Sequence, residues 1–132
     1  MRSSDVDILM VPGWFGSGAG HWQSRWLRNL STAQLVEQDD WTAPDKDEWV
    51  GKILTAVAEA ERPVVLVAHS LGTVAVAHAA SKLPQGAILG AFLVAPAAVE
   101  HPGRWPVPGA AAAAHARCAF PPARAAPYPR AT

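Results

Sequence analysis

The chain has 132 residues, with 11 basic and 11 acidic side chains and a formal net charge of zero at pH 7. At this length it forms one domain at most. A nucleic-acid-binding domain needs a basic face, which this charge balance does not supply, so no nucleic-acid partner is expected. Cys118 is the single cysteine, which excludes an intrachain disulfide and a cysteine-based metal site; we predict no metal and no cofactor.

The hydrophobic segments of the chain argue against a membrane partner. No stretch reaches 18 uninterrupted apolar residues, and the residues before Ile8 contain neither a long apolar segment nor a cleavage site. We therefore expect a soluble, cytoplasmic protein.

Four strands are predicted along the first hundred residues. Ile8–Val11 and the valine-rich Val64–Ala68 are typical of parallel strands that are covered on both faces. Gln34–Glu37 predicts a weaker strand, and Ala87–Val94 predicts a fourth. Because strands alternate with helical segments, the pattern predicts an α/β fold: a parallel sheet with right-handed crossovers and helices on both faces.

Three helices are predicted between these strands. The first covers about residues 21–30, the second begins at its cap Asp45, and the third covers residues 71–82. Three residues share one face of the first helix and are expected to pack in the core: Trp22, Trp26 and Leu30.

The composition changes at about residue 101. Residues 101–132 contain 11 Ala and 7 Pro but no Asp, Glu, Lys, Leu or Ile, so no apolar periodicity is left. We therefore divide the chain into a core, residues 1–100, and an irregular or disordered tail, residues 101–132. Such a composition is also what GC-rich codons give in a wrong reading frame. Our hypothesis is a change of frame near residues 105–108, which resequencing the gene would test.

The junction between the Val64–Ala68 strand and the third helix carries the strongest chemical signal. Ala68-His-Ser70-Leu-Gly72 follows the G-x-S-x-G pattern of a nucleophile elbow, with alanine in the first position. In such a turn the serine has a strained backbone and its hydroxyl stands above the sheet edge. A helix-capping serine is the alternative, but the valine-rich strand and Gly72 favour Ser70 as a nucleophile.

The glycine-rich loop at residues 12–20 could supply part of an oxyanion hole beside Ser70. An oxyanion hole needs two backbone N–H groups that point at the same place. We predict that Leu71, just after the nucleophile, supplies one and that Trp14 supplies the other, with Phe15 as the alternative to Trp14. The simpler interpretation is that the glycines only permit a tight loop.

The same loop is compatible with a second class of protein, a Rossmann-like nucleotide-binding domain. Glu37, Asp39 and Asp40 follow the loop about twenty positions on, where such domains carry an acidic ribose ligand. The third glycine of that pattern is missing, however, since Gln23 stands in its place. This alternative also leaves Ser70 without a role.

The partners that Ser70 would need are scarce. In α/β hydrolases the chain order is serine, acid, histidine. The only carboxylate after Ser70 is Glu100, and the tail holds His101 and His115; we keep Glu100 and His101 as candidates for the acid and the base. Three other histidines are not expected to serve as the base: His21 at a helix start, His69 beside the serine and His78 inside a helix.

Four motifs follow one another in a characteristic order. They are V-P-G-W with G-S-G at residues 11–18, G-H-W-Q-S-R-W at 20–26, E-Q-D-D-W at 37–41 and V-A-H-S-L-G at 67–72. Together they resemble the YdeN-like small serine hydrolases, the family that includes retinoblastoma-binding protein nine, over about residues 6–105. The resemblance implies a small α/β hydrolase of esterase type that acts on small carboxylic esters, with Ser70 as its nucleophile.

The resemblance also implies where this chain departs from its family. The family's acid follows a later strand and its histidine lies near the C-terminus, and this sequence has neither segment. We therefore expect a truncated α/β hydrolase whose catalysis is impaired, with a non-catalytic pseudoenzyme or protein-binding module as the alternative. The strand at Ala87–Val94 would then be an exposed sheet edge, which favours self-association.

Overall fold

A computed structural model describes residues 2–95 and Trp105. Its strands are β1 (Asp7–Val11), β2 (Ala33–Leu35), β3 (Val64–His69) and β4 (Ile88–Val94). Its helices are α1 (Trp22–Asn29), α2 (Lys46–Glu59) and α3 (Leu71–Ala80), preceded by one 3₁₀ turn at Ser3–Asp5. The predicted alternation is confirmed, although β2 begins one residue before and ends two residues before the predicted segment.

The four strands form one parallel sheet in the order β2-β1-β3-β4. The chain leaves β1 toward β2 on one side, whereas β3 lies on the other side of β1. The order of the strands therefore reverses between β1 and β3, and open α/β sheets bind their ligands at the carboxyl ends of strands at such a reversal. In the part of the chain that the structure describes, no helix is long and apolar enough to cross a membrane.

Helices cover both faces of the sheet, as the uninterrupted apolar strands predict. On one face, Ile8, Met10 and Val67 form a cluster to which α1 contributes Leu27. On the opposite face, α2 and α3 pack against alternate residues of the same strands in the larger cluster. Members of that cluster include Leu9, Leu66, Ala68, Trp49, Ile53 and Ala75.

The tryptophan stripe predicted for α1 is partly wrong. Trp26 is 41% exposed, while the buried residue of this helix is Gln23. Trp22 and Leu30 are only partly buried. The reason is that α1 turns the side of the helix that carries Gln23 and Leu27 toward the sheet. Each tryptophan precedes one of these residues in the sequence, and the two tryptophan rings contact each other edge to face.

A buried carboxylate joins the amino ends of β1 and β3. Asp7 accepts hydrogen bonds from the backbone N–H groups of Glu61 (2.9 Å) and Arg62 (3.0 Å) and an ion-pair hydrogen bond from the Arg62 guanidinium (3.1 Å). The backbone N–H and the guanidinium of Arg62 hold the pKa of Asp7 below its usual value, with a further contribution from Glu61 N–H. This contact lies at the end of the sheet opposite to Ser70 and therefore serves the fold.

β4 is an edge strand that exposes apolar side chains. Phe92 is 60% exposed, and Leu89 and Leu93 are also exposed. Among the described residues, the outer edge of β4 has no neighbouring strand. An exposed apolar edge of this kind favours self-association, which stays a prediction to be tested in solution.

Candidate active site

Ser70 occupies the sharp turn between β3 and α3. Its backbone has φ 53° and ψ −121°, a region that non-glycine residues rarely adopt. The turn is fixed because Ser70 N–H donates to the Val94 carbonyl (3.1 Å), while its own carbonyl accepts from Thr73 N–H (3.0 Å) and Thr73 hydroxyl (2.7 Å). The Ser70 side chain makes no capping hydrogen bond to α3. A simple capping serine therefore does not account for this residue.

Gly72 lets α3 begin directly against the end of β1. A methyl group at this position would lie 2.7 Å from the Pro12 carbonyl oxygen and closer still to that of Val11. Both obstructing atoms belong to the backbone, so neither can turn aside as a flexible side chain would. The glycine of the elbow motif therefore has a definite packing reason here.

Gly13 brings the turn after β1 against the turn that carries Ser70. A methyl group added at Gly13 would lie 2.9 Å from Ser70 Cβ and 3.2 Å from the Leu71 nitrogen. The two backbone segments that the oxyanion hypothesis invokes are thus in contact. They meet at the carboxyl ends of β1 and β3.

Leu71 begins α3 immediately after the serine. The first N–H groups of a helix have no intrahelical acceptor, and they form the positive end of its dipole. Leu71 N–H is therefore suited to stabilise negative charge that develops beside Ser70.

The turn after β1 distinguishes between the two other candidate donors. Phe15 N–H donates to the Trp41 carbonyl (2.9 Å), and Gly16 N–H donates to the Gly13 carbonyl (3.0 Å). Among the described residues, no backbone hydrogen bond uses Trp14 N–H. The geometry thus favours Trp14 over Phe15 as the second donor.

The Trp14 side chain anchors this turn. Its indole N–H donates to the Thr42 carbonyl (3.0 Å), and its ring stacks on that of Phe15. Thr42 itself is held by Asp40, whose carboxylate accepts from the Thr42 N–H and hydroxyl, both at 2.8 Å, and from Ala43 N–H. These bonds, led by that from Thr42 N–H, lower the pKa of Asp40. The Asp40 carboxylate therefore forms its hydrogen bonds within its own loop.

The three described histidines lie in aromatic surroundings. His21 caps α1 by accepting from Gln23 N–H (3.2 Å), and its ring centroid lies 4.7 Å from that of His69. His69 also contacts Trp22 on the α1 side of the sheet. His78 faces Trp105 on the opposite side, with centroids 6.4 Å apart. His69 therefore points toward α1.

The remaining site candidates lie outside the described residues. This applies to Glu100 and His101, and also to His115. Within the described ranges 71–95 and 105 the sequence contains no carboxylate, so no acid is assigned there. No cluster of three potential metal-ligating side chains occurs in the described part of the chain.

Gln23 is a buried polar residue between β1 and β3 that sequence reasoning missed. It is fully buried, and its amide nitrogen donates to the carbonyls of Val67 (3.0 Å) and Val11 (3.4 Å). Its amide oxygen accepts from the Ser17 hydroxyl (2.8 Å). The sequence feature that could have revealed it is a glutamine that stands between Trp22 and Trp26, two positions after the helix cap His21.

Comparisons with known proteins relate the chain to serine hydrolases. A family model described as serine hydrolase matches residues 8–131, and so extends past residue 105, where the motif resemblance ends. The crystal structure of a YdeN-like hydrolase from Pectobacterium atrosepticum matches with 36% identity and a TM-score of 0.67. The match covers 73% of this chain and 51% of that hydrolase, so the chain spans about half the length of its structural relative. A search of the curated proteins found no match.

Proposed function

Because the chain belongs to the serine hydrolase family, we propose that it hydrolyses small carboxylic esters with Ser70 as the nucleophile. The observation that carries this proposal is the strained backbone of Ser70, with φ 53°, in contact with the turn at Gly13. Strain of this kind persists only where the surrounding structure imposes it, and it is concentrated at functional sites. The similarity to a YdeN-like hydrolase at 36% identity supports the same reaction class over the nucleotide-binding alternative.

The proposed reaction begins with attack of Ser70 Oγ on the ester carbonyl carbon. A base takes the hydroxyl proton as the new C–O bond forms, and the carbonyl electron pair moves onto oxygen. Leu71 N–H and Trp14 N–H stabilise this oxyanion. When the intermediate collapses, the alcohol leaves with a proton, and water then releases the acid from Ser70 by the same steps.

Turnover is expected to be slow. We take Glu100 as the candidate acid and His101, His115 or a histidine of a second chain as the candidate base, and in this sequence Glu100 is the single carboxylate after Ser70. Loss of a triad base leaves only the residual catalysis of the oxyanion hole and of binding, several powers of ten below a complete triad. The second candidate function is a non-catalytic pseudoenzyme or protein-binding module.

Ester turnover distinguishes these two functions. We would follow p-nitrophenyl acetate and the matching anilide with the full chain, Ser70→Ala and the control Ser31→Ala, whose serine is exposed in a turn. The proposal expects slow ester cleavage that Ser70→Ala abolishes and Ser31→Ala preserves, with no anilide cleavage. Equal rates for all three proteins would instead favour the binding module.

A further inference from the structure

Gln23 bridges the two strands that carry the proposed site. We propose that it is a positioning residue, which sets the spacing between the nucleophile turn and the oxyanion turn. This inference rests on the proposed function of Ser70. It concerns a residue that touches neither the substrate nor the reacting atoms.

The bridge is formed where the parallel ladder between β1 and β3 ends. The last register pair is Val11 and Ala68, so the ladder between the two strands ends there. The amide nitrogen of Gln23 donates to the carbonyls of Val67 (3.0 Å) and Val11 (3.4 Å), one on each strand. A single side chain thus connects the strands at the point where their own hydrogen bonds stop.

The bridged carbonyls are close to the proposed chemistry along the chain. Val11 lies two residues before Gly13, and Val67 lies three residues before Ser70. These short segments are tightly packed, since Gly13 has no room for a methyl group against Ser70. A change in the separation of the two carbonyls must therefore move Trp14 N–H relative to the serine hydroxyl.

Ser17 fixes which end of the amide faces the strands. Its hydroxyl donates to the Gln23 amide oxygen (2.8 Å), which leaves the NH₂ group to face the two carbonyls. Ser24 in turn donates its hydroxyl to the Ser17 carbonyl (3.1 Å) and holds the loop in place. Because Gln23 is fully buried, water cannot replace these bonds without opening the packing.

The test compares variants of Gln23 with a matched surface control. Gln23→Met removes the two N–H donors of the amide and keeps a side chain of similar length. Gln23→Glu places a carboxylate oxygen against the two carbonyls. The control Gln34→Met makes the same glutamine-to-methionine substitution at an exposed position of β2. Ser17→Ala is a milder variant that only frees the amide to turn. The readout is the rate of Ser70 labelling by a fluorophosphonate, separated into probe affinity and maximal rate, in samples shown by circular dichroism to be folded.

We expect Gln23→Met to lower the maximal labelling rate at least about tenfold with little change in probe affinity, because small misplacements of reacting groups are costly. Gln34→Met should match the wild type, and Ser17→Ala should lower the rate by a smaller factor. Gln23→Glu should recover relative to the wild type as pH falls, since a protonated carboxyl can again donate to one carbonyl. Wild-type maximal rates in the folded Gln23 variants would overturn the inference and leave the proposed function intact.

A second readout separates this inference from the proposed function. If the wild type shows no labelling that depends on Ser70, the proposed function fails. The amide resonances of Gly13, Trp14 and Leu71 in nuclear magnetic resonance spectra then test the bridge alone. Gln23→Met should shift them and Gln34→Met should not; unchanged resonances in Gln23→Met would refute the bridge.

Discussion

Replacement of Gly72 by alanine tests the close approach of α3 to β1. The added methyl group would lie 2.7 Å from the Pro12 carbonyl oxygen and nearer to that of Val11. Forcing groups into packed positions costs about 1–3 kcal/mol, and two rigid backbone atoms place this site in the upper part of that range. Alanine recovers up to about 1 kcal/mol of helix propensity, so we expect a net loss of about 1–2 kcal/mol in the free energy of unfolding.

Gly51→Ala is the matched control for this prediction. Gly51 lies inside α2, and a methyl group there would meet nothing within 4 Å. Without a clash, the propensity gain should stabilise the protein by about 0.5–1 kcal/mol. Urea unfolding followed by circular dichroism measures both variants. If Gly72→Ala were as stabilising as Gly51→Ala, the close contact that we infer between the start of α3 and the end of β1 would be refuted.

Three further predictions follow from the strained turn, the buried carboxylate and the exposed edge. Ser70→Gly should raise the free energy of unfolding by about 1 kcal/mol relative to Ser70→Ala, because glycine tolerates positive φ; equal stabilities would argue against the strain. Asp7 has a lowered pKa in the folded state, so its ionised form stabilises the fold above about pH 4 and this contribution is lost as the pH falls through the folded pKa. Asp7→Asn should therefore be less stable than the wild type at pH 7, with a difference that shrinks in acid, and a difference independent of pH would count against the account. Phe92→Lys should reduce concentration-dependent association in sedimentation experiments because it adds a charge to the edge strand; a wild type that is monomeric at all concentrations would contradict the self-association that we propose.

The elements of the fold could be predicted because their signals are local. Apolar runs such as Val64–Ala68 identify buried strands, and Asp45 begins α2 as expected, accepting a hydrogen bond from Glu48 N–H (3.0 Å). The sharp turn at Ser70 could be predicted because a strained strand-to-helix turn requires particular neighbours at fixed spacing. Each of these predictions needs only a few consecutive residues.

The parts that escaped prediction depend on contacts between distant segments. Gln23 is buried because two carbonyls from β1 and β3 meet beside it, which no periodicity within α1 reveals. The choice between Trp14 and Phe15 depends on the Trp41 carbonyl, which lies 26 residues from Phe15. Glu100 and His101 remain predictions outside the described residues.

The central claim is that Ser70 is a nucleophile held beside two oxyanion donors. Its most direct test is mass spectrometry of the full chain after treatment with a fluorophosphonate, with peptide mapping of the modified residue and Ser70→Ala as the control. The account predicts slow labelling that reaches one adduct per chain, maps to Ser70 and disappears in the variant. An unmodified wild type, or an adduct that persists in Ser70→Ala, would contradict it.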